Sequence, residues 1–86
     1  MRLWIGNMEP GTSDDTLREF IGKYTKGIEV SHIQRIEGDG SRPAALVAFT
    51  GDTYTAVPSL ALRLDGMYWN GRKLSCAAET EPLKNK

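Results

Sequence analysis

An α+β fold is predicted for this chain, with one four-stranded antiparallel sheet carrying two helices on one face. Three observations predict it: short runs alternating apolar and polar residues, two stretches with apolar residues at helical spacing, and turn signals between them. The first strand lies in RLWIGNM (2–8), where alternation puts Leu3 and Ile5 on one face and Arg2, Trp4 and Gly6 on the other. In EPGTSDDT (9–16), Ser13 caps a helix and Asp14 and Asp15 suit its positive end. Leu17, Phe20, Ile21 and Tyr24 carry that helix to about Tyr24, with its end near Gly27. IEVSHIQRI (28–36) is the second strand, EGDGS (37–41) a turn and RPAALVAF (42–49) the third strand. VPSLALRL (57–64) is a second helix, and because Pro58 is tolerable only in a first turn, the helix starts near Thr55. Asp65-Gly66 and Asn70-Gly71 mark turns, and KLSCAAE (73–79) is a last strand with Leu74, Cys76 and Ala78 on one face. The order βαββαβ is the ferredoxin-like arrangement. Its core face carries Leu3, Ile5, Ala45, Val47, Phe49, Leu74 and Cys76, which leaves Trp4 on the open face.

The totals bound the function. Eighty-six residues make one small domain over 1–80, followed by a short polar tail, 81–86, expected to lack fixed structure. The opening methionine points to a whole small protein. No apolar run is long enough for a membrane span and no signal-peptide region is present, so no membrane partner is expected. A single cysteine excludes an internal disulfide and fits a reducing interior, cytoplasmic or nuclear. Eleven basic and eleven acidic side chains cancel, which counts against a protein that grips nucleic acid by total charge.

With the order and first strand in hand, the chain resembles an RNA recognition motif (RRM) domain from about Arg2 to Thr80. LWIGNM (3–8) is similar to the family's first-strand signature, and LDGMYWNGRKLSCAA (64–78) resembles its ending, a helix closing on an Asp-Gly pair before a short hairpin and a Gly-Arg-x-Leu segment. The third-strand motif, K/R-G-F/Y-G/A-F-V-x-F/Y, is matched by Arg42, Ala45, Val47 and Phe49 but not by Pro43, Ala44 or Leu46. Ala44 and Leu46 stand where the family carries two solvent-facing rings. Stacking contributes about 1–3 kcal/mol per base, so two absent rings remove roughly 2–6 kcal/mol, about one and a half to four decades of affinity.

The resemblance implies single-stranded RNA as ligand, bound with modest affinity. Trp4 would stack a base over an apolar floor of Ala44 and Leu46. Arg2, Arg42 and Lys73 would hold phosphates, Arg42 at the family's phosphate-contacting position, while Asn7, Gln34 and Ser75 would read base edges. Single-stranded DNA fits the same scheme. Tyr68 points outward in the hairpin, as a second stacking surface or as surface packing, and Asn7 reads equally as a turn residue. Trp69 is expected in the core. The acidic Asp14, Asp15, Glu19, Asp52 and Asp65 fall on the helix side, so the expectation is a basic open face and an acidic back. The residues also carry a competing reading, a protein-interaction module on the same fold, and the chain is expected to be a monomer. No glycine-rich phosphate loop or acid–base pair appears, so neither catalysis nor a cofactor is expected. His32 has no second ligand at a recognisable spacing and reads as strand surface, without a metal. Arg35 shares its face with Ile33, so either a bulge reorients the strand or its stem lies along the core edge.

Overall fold

In a computed structural model, residues 1–36, 38, 40–51 and 53–79 are described. The expected acidic position of Asp52 and the expectation for the tail, 81–86, lie outside these residues. The elements run β1 (Arg2–Gly6), α1 (Asp14–Gly22), β2 (Ile28–Ile36), β3 (Ala44–Gly51), α2 (Thr53–Leu64), β4 (Tyr68–Trp69), β5 (Arg72–Lys73) and β6 (Ser75–Glu79). Strands pair antiparallel in the order β2-β3-β1-β6, with β4-β5 a separate two-stranded hairpin. This α+β architecture is compatible with the ferredoxin-like expectation. Among the described residues no helix is long and apolar enough to cross a membrane.

One face of the sheet and both helices share a single core. Leu3, Ile5, Ile33, Ala45 and Val47 from the strands pack with Leu17, Phe20 and Ile21 from α1 and Val57, Leu60, Ala61 and Leu64 from α2. At the start of α1 the Ser13 hydroxyl accepts the Thr16 amide at 3.1 Å. The helix stops at Gly22, and Tyr24 packs onto the core from the following turn.

Four boundaries or orientations differ from, or settle, the sequence reading. β3 begins at Ala44 rather than Arg42, because Pro43 has no N–H to donate to a ladder. It runs on to Gly51, which pairs with Ile28. α2 begins at Thr53, so Pro58 stands at its sixth position. The absent proline N–H would have met the Tyr54 carbonyl, so the α2 ladder lacks one bond there. β2 has a register shift between Val30 and His32, but it precedes Ile33, so Ile33 and Arg35 keep one face. The Arg35 stem therefore runs along the core edge, and its Nη1 donates to the Thr12 carbonyl at 2.8 Å and to Asp14 Oδ1 at 3.0 Å. Finally, Leu74 interrupts the last strand: it is buried between β5 and β6 and belongs to neither.

The β4-β5 hairpin turns on Asn70 (φ 53°) and Gly71 (φ 78°), both left-handed as a two-residue type I′ loop requires. Trp69 stacks on Phe20, centroids 4.1 Å apart and planes 15° apart, and Phe20 meets Tyr24 edge-on at 5.5 Å. Trp69 is half-buried against the core, as expected. We predict that Trp69→Ala costs about 2–4 kcal/mol in urea unfolding, below the full range for a buried tryptophan. Tyr68→Ala, at an exposed neighbour, stays within about 0.5 kcal/mol.

Candidate nucleic-acid interface

The face of the sheet away from the helices is built from outward-pointing positions whose partners follow from register. Trp4 lies between Leu46 of β3 and Ala77 of β6, with Gln34 of β2 beyond Leu46. Next to this row, Arg2 lies between Ala48 and Glu79, with His32 beyond Ala48. On the other side, Gly6 pairs with Ser75 and Ala44 with Ile36.

The Trp4 indole lies along the sheet over Gly6. A Cβ at Gly6 would overlap the ring's Cη2 and come within 2.7 Å of Cζ2, so the ring needs a residue without a side chain there. The six-membered ring thus sits against the Gly6 backbone, on a residue that is half-buried overall. Trp4, Asn7, Arg42 and Ser75 line one open recess.

Asn7, at φ 61°, closes β1 in the left-handed region that asparagine tolerates. Its Nδ2 donates to the Lys73 carbonyl at 2.8 Å, and its Oδ1 accepts Arg72 Nη2 at 3.0 Å. Arg72 Nη2 also donates to the Ser41 carbonyl at 3.0 Å. Asn7 is thus a turn residue and a strut at once, with part of its amide already engaged.

The structure brings Trp4, Leu46, Gln34, Ser75 and Arg2 onto one surface, with Arg42 at its rim. Arg42 is exposed just before β3, and among the described residues its side chain has no hydrogen bond or ion pair. Arg2 faces Glu79 directly across the β1–β6 ladder without a contact ion pair, and its Nε is shielded and unpartnered. Glu79 offsets part of the Arg2 charge at that end of the face.

Three expected members stand elsewhere or offer less. Lys73 is not on the four-stranded sheet: because the strand breaks at Leu74, it belongs to the hairpin, opposite Tyr68, with its stem passing Gly66. Tyr68 points outward on the hairpin, as expected, and so stands off the four-stranded sheet that carries Trp4. Ala44 has the outward register yet is only 6% exposed, a short methyl shaded among longer neighbours, so it adds no floor. Ile36 supplies apolar surface at that end instead, at 39% exposure. Gly6, Ala77 and Arg72 were assigned no role at the site from the sequence. Trp-x-Gly was the signal for Gly6, because a spacing of two puts the glycine on the tryptophan's own face.

Cys76 is half-buried at the sheet edge, its amide donating to Asp65 Oδ1 at 2.9 Å. Burial first, and the Asp65 carboxylate second, push its thiol up to about 12. Among the described residues no three His, Cys, Asp or Glu side chains gather to hold a metal ion. In comparisons with known proteins, no family model and no curated protein matches the chain.

Two outcomes follow. Gly6→Ala should tip the Trp4 ring off the sheet, seen as a displaced Trp4 indole resonance with the Trp69 indole unmoved; an unmoved Trp4 would contradict the cradle. At pH 8 the Cys76 thiolate fraction should be on the order of 10⁻⁴, so disulfide-reagent labelling runs far slower than for an exposed cysteine and rises with pH well past 9. A rate that levels off near pH 9 would contradict the raised thiol.

Proposed function

We propose that the open face binds single-stranded RNA, the chain acting as an RRM domain of ferredoxin-like βαββαβ topology. The observation that carries this reading is the Trp4 indole, packed against Gly6 at the middle of a sheet face that no helix among the described residues covers, with Leu46 and Ala77 beside it. An aromatic ring on such a face is what a splayed base stacks on. Arg42, without a partner among the described residues and in the same recess, takes a phosphate next to the stacked base, and Ser75 and Gln34 offer hydrogen bonds to base edges. Arg2 contributes a second, weaker phosphate contact because Glu79 faces it. Single-stranded DNA satisfies the same contacts, except any made to a 2′-OH.

A protein-interaction module on the same scaffold is the competing reading. It draws on Leu62 (83% exposed) beside an apolar groove of Pro58, Ala61, Cys76 and Ala78 between α2 and β6. Salt separates the two. With Arg2 and Arg42 as the phosphate contacts, log affinity for RNA should fall with log salt at a slope of about −1.4, whereas apolar contact responds little.

The decisive experiment is an NMR titration with short mixed-sequence RNA at low and moderate salt. The expected outcome is joint movement of the Trp4 indole, Leu46 and Arg42 signals, fading with salt. Trp4→Ala should then weaken binding by about 1–3 kcal/mol, roughly 5- to 150-fold. Should these signals stay still at low salt, the RNA reading fails.

A further inference from the structure

On the helix layer, the end of α1 and the outer face of α2 enclose a second concavity, of about 520 Å³. Its walls bring together Lys23, Lys26 and Arg63, and among the described residues no carboxylate lines it. Among the described residues none of these three side chains has a hydrogen bond or ion pair, although Glu19 stands one turn before Lys23 on α1. Glu29 lines the adjoining recess with Arg18 instead.

The bland explanation is that cations near helix C-termini complement the helix dipoles. Each helix end carries roughly −0.5 of a charge, so two ends offset about one of the three positive charges and leave about two. Donors are also plentiful: the Thr25 and Ser59 hydroxyls line the same walls. A carboxylate has two oxygens to present to these groups, whereas a phosphate monoester has three terminal oxygens and about −1.5 to −2 charge at neutral pH. The Arg63 guanidinium fork suits phosphate geometry, and the volume has room for the phosphoryl group and part of what bears it.

We propose that this cleft is a phosphate-monoester site, with Lys23, Lys26 and Arg63 holding the phosphoryl oxygens. The ester comes from a small metabolite or from a phosphorylated side chain of another protein. The site is independent of the RNA reading, because it lies on the helices and not on the open face.

The test uses isotope-labelled protein at fixed ionic strength. Inorganic phosphate, acetate, a phosphoserine hexapeptide and its unphosphorylated form are added separately. The expected result is saturable shifts at Lys23, Lys26, Ser59 and Arg63 with phosphate, at least tenfold weaker with acetate, while the Trp4 indole stays still. A phosphopeptide binding more than tenfold tighter than phosphate assigns a protein source, and equal binding assigns a small ester. Arg63→Glu should weaken phosphate at least tenfold, and Arg63→Lys less, both with the dispersed amide spectrum of the folded chain. Shifts that climb without saturating, match those from acetate, or survive Arg63→Glu overturn the proposal. RNA binding is read on Trp4 and Arg42, so failure of either site leaves the other's result interpretable.

Discussion

The open end of the sheet is held together by one side-chain amide. Asn7 joins the end of β1 to the Lys73 carbonyl, 66 residues later, and to Arg72, which in turn holds Ser41. Close by, the Met8 amide donates to the Pro43 carbonyl at 3.1 Å. Three chain segments with no covalent reason to meet are therefore fixed at one point. Each such hydrogen bond is worth about 1 kcal/mol net, and those to the guanidinium more, which outweighs the left-handed backbone at Asn7. The same point positions the exposed surface. Arg42 lies between Ser41 and Pro43, both tied down by these contacts, and Ser75 follows closely after Lys73. The recess beside Trp4 exists because Asn7 draws its walls together.

Within that frame, Trp4 is oriented by an absence. Cross-strand neighbours Leu46 and Ala77 support its sides, but the ring's tilt depends on the missing side chain of Gly6. Resting against the Gly6 backbone, the ring buries part of its surface, which lowers the cost of exposing a tryptophan. Packing thus provides both the orientation of the ring and the apolar patch on which the proposed RNA contact rests.

Much of the fold was legible because its signals are local. Alternation in β1 and β3 gave the buried set Leu3, Ile5, Ala45 and Val47, Ser13 gave the start of α1, and Asn70-Gly71 gave a type I′ hairpin whose turn dictates its own backbone. What was illegible depends on counting or on distance. A period-two reading carried through Leu74 assigns Lys73 to the sheet, but the chain stops pairing at Leu74 and the parity is lost. Pro58 stands in the second turn of α2 rather than the first, so the rule that a proline marks a first turn misplaces the helix start. Ala44 had the right parity and the wrong size. Asn7 read equally as turn or contact, and only its partners 65 and 66 residues away show that it is a strut.

Charge is where local and global readings part most. The neutral total was expected to divide into a basic sheet face and an acidic back, and the structure corrects this. Glu79 faces Arg2 on the sheet, while Lys23, Lys26 and Arg63 gather on the helix layer. Two of the three acidic side chains of α1, Asp14 and Asp15, sit in its first turn, where the dipole favours them and Arg35 binds one of them. The result is two separate positive spots, one at the Arg42 rim and one between the helices, with the core between them. Packed layers are roughly 10 Å apart and the screening length in physiological salt is about 8 Å. Solvent screening at that separation weakens the field of one spot at the other without removing it. What meets an approaching anion is the local charge and not the total, so a net charge of zero is compatible with anion binding on either side of this domain.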